Sequence, residues 1–233
     1  MDYGQFACPV AFYHREAFWR GELPLWNPLS NCGVPFLAQW NTLTLYPLSL
    51  VYLLLPFPWS LGMFCVLHLF GGGMGMYLLA SRWTGNRLAG ALAGTAYAFN
   101  GMASYGLIWP HITVALAWMP WVVLGVERAW EGGRRELVQA AAAGTMQMLS
   151  GGVEVIFLTW LVLAGLCVAR VAGDEGNRGR VMFRLLLAYN LVICAAILIL
   201  EWHYAVDLPG GIAVGALALA MVGPDETSSL KQN

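Results

Sequence analysis

Charge is what this sequence has least of. Acidic and basic side chains make up 11% of its 233 residues, where a soluble domain carries roughly 25%. Twelve basic and 13 acidic groups cannot cover the water-facing surface of a globule this size. The formal net charge of -1 gives no footing for nucleic acid, and no long run of like charge forms a solvated tail. No cleavable signal peptide is visible in residues 1–41, which hold neither a basic n-region nor a continuous apolar core. What fills the chain instead is apolar: 59% of the residues are hydrophobic and mean hydropathy is +0.62. The stretch Leu23–Ser81 contains no aspartate, glutamate, lysine or arginine, although charge at an exposed position in water costs nothing. These shortages exclude an ordinary soluble domain and predict an integral membrane protein.

Seven stretches after residue 59 read as membrane spans: Ser60–Ala80, Leu88–Trp109, Ile112–Val126, Leu137–Val153, Val155–Ala169, Leu185–Leu200 and Leu208–Gly223. Glycines and alanines in Leu88–Trp109 are spaced for close helix contact. Leu137–Val153 is alanine-rich and weakly hydrophobic, which predicts a helix surrounded by other helices. Thr44–Pro56 is too short for a bilayer core of about 30 Å and is followed by Pro58, so it reads as an interfacial or re-entrant helix. A full span stays open if its flanks join it. The expected fold class is an all-α polytopic transmembrane helix bundle of about seven spans plus that interfacial or re-entrant helix.

Arginine sets the orientation. Arg82 and Arg87, then Arg128, Arg134 and Arg135, then Arg170, Arg178, Arg180 and Arg184 fall in alternating loops. The positive-inside rule puts those loops in the cytoplasm. Residues 1–41, the Trp109–His111 turn, the Ser150–Glu154 turn and Glu201–Asp207 are then extracytoplasmic. The chain divides into an amphipathic outer loop (1–41), a transmembrane region (42–171), a cytoplasmic linker (172–184), two further spans (185–223) and a cytoplasmic tail (224–233). A segment that starts outside needs an upstream helix to carry it across. The expectation is therefore a piece of a longer protein, a reading frame opened late, or a partner chain that supplies missing helices.

Within residues 1–41, Phe12–Arg20 reads as an amphipathic interfacial helix with Trp19 and Trp26 in the aromatic belt. Asp2 is an acid beside a membrane surface, able to act as a general base or to bind a divalent metal ion. Arg15 and Arg20 either snorkel to lipid phosphate or contact a substrate phosphate. Cys8 and Cys32 either form an extracytoplasmic disulfide or stay unpaired. Cys65, Cys167 and Cys194 read as small buried groups, and His68 as a helix-packing histidine.

The pattern D-Y-G-Q-F-x-x-P at Asp2–Pro9, followed by F-W-R-G-E-L-P-L-W-N-P at Phe18–Pro28, resembles the YfhO family of bacterial membrane proteins. Gly33–Phe36, Tyr46–Leu48, Leu67–Ala80, Ala96–Gly101 and Pro120–Arg128 continue the resemblance, which covers about residues 1–170. That family is similar to polytopic glycosyltransferases of the GT-C type, which use polyprenyl-phosphate sugars as donors. The resemblance implies a bacterial cytoplasmic-membrane protein with Asp2 as the acid that activates the acceptor or binds a divalent ion. It also implies secondary roles for His111 and Glu154. Glu154 follows S-G-G-V where the family more often shows G-H-P-E or G-H-P-Q, so the histidine and proline positions are Gly152 and Val153.

The segment L-E-W-H-Y-A-V-D-L-P-G-G-I-A-V-G, within about residues 181–223, resembles the last signature of type-2 phosphatidic acid phosphatases and inositol-phosphorylceramide synthases. That resemblance implies a nucleophilic His203 oriented by Asp207, four residues on and so on the same helical face. The proton-donating P-S-G-H segment is missing, and the position six before His203 is Ile197 where arginine is common. The leading expectation is a membrane glycosyltransferase-like protein that uses a polyprenyl-phosphate sugar. Lipid-phosphate hydrolysis or phosphoalcohol transfer through His203 and Asp207 is the alternative, and a non-catalytic membrane scaffold is the third.

Overall fold

The computed structural model describes residues 3–30, 32–57 and 59–171. Asp2, the linker 172–184, the spans Leu185–Leu200 and Leu208–Gly223, the pair His203 and Asp207, and the tail lie outside the described residues. The chain divides into two compact units, residues 1–164 and 165–233. Of the second, the described part is the last turns of a helix that begins in the first.

The described residues are mostly helical. A π-helical turn, Tyr3–Ala7, leads into α1 (Cys8–Trp19), whose Pro9 sits in the first turn, where a missing N–H costs nothing. A two-residue antiparallel hairpin follows, β1 (Trp26–Asn27) with β2 (Val34–Pro35), in the register Trp26 to Pro35. The region expected as one interfacial helix is broken instead into a 3-10 turn, Pro47–Leu50, and the single turn α2 (Val51–Leu54). Tyr46, Ser49 and Tyr52 are buried at three-residue spacing, while Leu45, Leu48 and Leu54 face outward.

The helices that follow are α3 (Trp59–Thr84), α4 (Arg87–Ala98), α5 (Gly101–Gly106), α6 (Pro110–Glu131), α7 (Arg134–Met148) and α8 (Val153–Val171). Two of them, α3 and α6, are long and apolar enough to cross a membrane. The exposed face of α3 is apolar, as is much of its buried face, which includes Leu61, Phe64 and Leu79. Met63, Val66, Leu67, Phe70 and Met74 form an exposed apolar stripe at helical spacing, while Ser60, His68, Gly72 and Gly75 are buried.

The single span expected over Leu88–Trp109 is two helices. Asn100 breaks it: its Oδ1 accepts from the Ala103 N–H at 2.8 Å to cap α5, and its Nδ2 donates to the Tyr97 carbonyl at 2.8 Å. With Gly101 next in sequence, the cap competes with continued helix. The 12 residues of α4 reach about 18 Å, short of a bilayer core. Nor is α7 covered on all sides. It buries Ala140, Ala143 and Gln147 on one face and exposes Leu137 and Val138.

Small residues bring the helices together. A Cβ on Gly94 of α4 would lie 2.6 Å from the Gly73 carbonyl of α3, and one on Gly125 of α6 would lie 2.9 Å from the Ala140 Cα of α7. At such contacts backbones touch, so dispersion rather than side-chain interdigitation holds the pairs.

Three chains of hydrogen bonds match polar groups buried among these helices, while the Ser60, Ser81 and Thr113 hydroxyls have no partner. Pro120 inside α6 has no N–H for the Leu116 carbonyl four residues earlier, and that carbonyl accepts instead from the Tyr97 hydroxyl at 2.8 Å. Gln147 Nε2 donates to the Ala115 carbonyl at 3.1 Å and to Thr159 Oγ1 at 2.7 Å, tying α6, α7 and α8. A third chain starts at Trp118, whose Nε1–H donates to Tyr46 Oη at 2.8 Å. His68 Nδ1–H donates to the Phe64 carbonyl at 2.7 Å, which leaves Nε2 as an acceptor for the Tyr46 hydroxyl at 2.7 Å. Tyr46 thus joins the segment before α2 to both long helices.

Removing one hydroxyl tests that junction. Tyr46→Phe strands two buried groups, the Trp118 N–H and His68 Nε2, and should cost roughly 2–4 kcal/mol, at about 1–3 per orphaned group. Tyr97→Phe strands the one acceptor described above and should cost about half as much. Thermal midpoints of the purified variants in detergent check the order; a Tyr46→Phe midpoint equal to wild type would contradict it.

Candidate functional site

Three of the segments expected on the extracytoplasmic side come together around the start of α6. Trp109 precedes that helix and Pro110 opens it, which fixes the chain direction into His111. The Phe6 ring lies 5.3 Å from the Trp109 ring, so the π-helical turn 3–7 packs on this corner. Trp109 and His111 meet edge to face at 5.9 Å. The Glu154 carboxylate, exposed in the first turn of α8, acts electrostatically on His111. Of the residues singled out in the sequence, His111 and Glu154 are therefore brought together.

The turn before Glu154 explains the departure at Gly152. A Cβ there would stand 2.6 Å from the Ala115 Cβ and 3.1 Å from the His111 carbonyl, so position 152 has no room for a histidine. Gly151, with a φ of +74°, turns its backbone against Trp40 and Asn41. Trp40 in turn donates Nε1–H to the Met148 carbonyl at 2.8 Å, tying the outer loop to the α7–α8 turn.

The two arginines of residues 1–41 singled out in the sequence, Arg15 and Arg20, are placed differently. Arg20 is exposed and paired with Glu22 at 3.2 Å, so its charge is already met at the surface. Arg15 is half-buried, and its Nε is enclosed without a hydrogen-bond partner. Among the described residues no hydrogen bond or ion pair joins either arginine to His111 or Glu154. Cys8 and Cys32 carry free thiols, which corrects the disulfide option, and burial pushes the Cys8 thiol above its ordinary range. Among the described residues no cluster of three or more histidine, cysteine or acidic side chains is placed to hold a metal ion. Asp2, the candidate for such an ion, lies outside them.

His68 sits in the interior, fully hydrogen-bonded, beside a cavity of about 10 Å³ that Tyr97 and Thr113 also line. That volume is about one water probe, far below a sugar. The helix-packing reading of His68 fits this geometry. His14, which in the sequence is only one of the polar residues concentrated in residues 1–41 and has no role of its own, is the larger surprise. It is 1% exposed, edge-on to Phe18 at 4.5 Å and Tyr52 at 5.8 Å, with neither ring nitrogen hydrogen-bonded. Nothing in its sequence neighbourhood, between Tyr13 and Arg15, marks it as buried.

In comparisons with protein-family models, curated proteins and solved structures, nothing matches the chain.

Burial alone pulls the His14 pKa down from 6.5 to about 4. The folded chain keeps the ring neutral, while the unfolded chain protonates it below about pH 6.5, so acid favours unfolding. Stability is then full above about pH 6.5 and falls as pH drops toward about 4. The loss at pH 5 should be of order 1–2 kcal/mol, and His14→Phe should remove most of it. Thermal midpoints at pH 7.5 and 5.0 in the same detergent check this; equal pH dependence in wild type and variant would count against it.

Proposed function

We propose that the chain is a GT-C-like bundle of about seven spans and a re-entrant segment in the bacterial cytoplasmic membrane. In this reading it transfers a sugar from a polyprenyl-phosphate carrier to an extracytoplasmic acceptor. The observation that carries the reading is the convergence of the turn 3–7, the Trp109–His111 corner and Glu154 on one end of α6. The orientation is supported from the other end, where Arg82 at the close of α3 pairs with Glu131 at the close of α6. The exposed apolar stripe of α3 supports a lipid-facing helix.

The chemistry needs few parts. A nucleotide sugar is not available outside the cytoplasm, so the activated group must arrive on lipid. Asp2, immediately before the segment that packs on Trp109, takes the proton of the acceptor hydroxyl. The acceptor oxygen bonds to the anomeric carbon, the bond from that carbon to the phosphate oxygen breaks, and polyprenyl phosphate leaves. His111, beside the Glu154 carboxylate, orients the acceptor, and Arg15 or Arg20 meets the phosphate. A divalent ion held at Asp2 would add charge to the same phosphate.

Transfer from a labelled polyprenyl-phosphate sugar, measured with the purified full chain in liposomes, tests the reading. Asp2→Asn should lower the rate by about 100-fold or more, the scale of a lost general base. His111→Ala should lower it by about tenfold, and His203→Ala should leave it unchanged. No transfer by folded protein would overturn the reading. Release of lipid phosphate abolished by His203→Ala or Asp207→Asn would replace it with phosphatase-type chemistry, and turnover of neither substrate would leave a scaffold.

A further inference from the structure

The opposite ends of the helices carry a second feature, independent of any transferase activity. Where the close of α3, the close of α6 and the start of α7 meet, a cleft of about 440 Å³ opens, lined by Arg82, Arg128, Arg135 and Gln139 with Glu131 and Glu136. From this cleft we propose a binding site for the phosphate of an anionic lipid headgroup.

Both carboxylates in the cleft are already engaged. Glu131 accepts from the Arg82 guanidinium. Glu136 accepts from the Gly133 N–H at 3.0 Å, capping α7, and its carboxylate also feels the Arg135 charge. What remains is Arg128 and Arg135. Among the described residues neither forms an ion pair, and both are exposed. Two guanidinium groups from different helices, with the Gln139 amide one turn beyond Arg135, present forked donors to a group that accepts on several oxygens. Phosphate has that geometry, and the start of α7 adds the positive end of a helix dipole.

The turn between α6 and α7 is built to keep the two arginines together. A Cβ on Gly132 would stand 2.7 Å from Glu136 Cγ and 2.9 Å from the Arg128 carbonyl. Only a residue without a side chain lets the first turn of α7 close on the last turn of α6. Level with the cleft, Trp130, Leu137 and Val138 are exposed, each at half or more of its surface. An apolar flank beside a cationic cleft suits a lipid, whose chains would lie along the flank while its phosphate sits among the arginines. The cleft also lies at the ends of the two helices long enough to cross a membrane, the depth at which headgroups stand.

The test uses the full chain purified in maltoside micelles, with dioctanoyl phosphatidylglycerol, dioctanoylglycerol and inorganic phosphate as probes, read by native mass spectrometry and tryptophan fluorescence. Phosphatidylglycerol should bind at least tenfold more tightly than dioctanoylglycerol. The double variant Arg128→Gln with Arg135→Gln should lose at least tenfold of that affinity. Arg87→Gln, which removes a charge from the same side of the chain outside the cleft, should stay within twofold of wild type. Inorganic phosphate binding as tightly as the lipid, and lost in the double variant, would support phosphate recognition with a soluble anion as its source. Equal loss in Arg87→Gln, or equal binding of the two lipids, would overturn the proposal. Wild-type affinity supplies a check that needs no variant: a tenfold rise in salt should weaken it at least threefold, and insensitivity to salt would overturn the proposal as well.

Discussion

A chain with this little charge must satisfy its buried polar groups from within, and the Trp118–Tyr46–His68 chain is where that constraint acts most strongly. Each donor has one acceptor in the sequence Trp118 N–H, Tyr46 O–H, His68 Nε2, and the last N–H ends on the Phe64 carbonyl. No atom in the chain can be removed without stranding its neighbour in an apolar surrounding, where an orphaned group costs more than a made bond returns. The segment carrying Tyr46 packs with α1 and α3 in one core of Ala11, Leu43, Tyr52, Leu61 and Phe64, so the outer loop is seated by the same contact that joins the long helices.

The same rule explains the break in α6's hydrogen bonding. Pro120 frees a carbonyl, and Tyr97 on α4 supplies the missing donor. Gln147 does the equivalent for α7 and α8 by donating twice into the interior. Not every buried group is met: the Ser60, Ser81 and Thr113 hydroxyls have no partner, and His14 is the largest such case. Its nitrogens have no partner, and the ring is held by aromatic edges alone, which is tolerable only because burial keeps it neutral.

How much of this was legible follows from distance along the chain. The long helix α3 and the core of α6 were visible as uncharged runs, because a span is a local property of some 20 residues. The start of α6 could be read as extended by Trp109 and Pro110, and Pro110 does open the helix; the run on to Glu131 could not be read, although charged side chains there can reach a membrane surface. The division at Asn100 was written in the Asn-Gly pair but overridden by the apolarity around it. His111 and Glu154 could each be nominated from the sequence. Their meeting could not, since it depends on Gly152 admitting the α8 turn against Ala115. Tyr46 and Trp118 gave no local sign of partnership, and His14 gave no sign of burial.

The two ends of the helices are held by different forces, and this difference bears on what each can do. Around His111 the contacts are backbone against glycine and ring against ring, which are short-ranged and costly to open. Around Arg82 the contact is an ion pair with both partners more than a third exposed, worth little against solvent and salt. The α3–α6 packing therefore does not rest on that pair; it rests on Gly72 against Ala117 and on the buried hydrogen-bond chain. An arginine that carries no structural burden can exchange one anion for another with little reorganisation of the helices behind it. Ligand exchange is cheap at the arginine end for this reason, whereas the His111 end gains fixed geometry at the cost of adaptability.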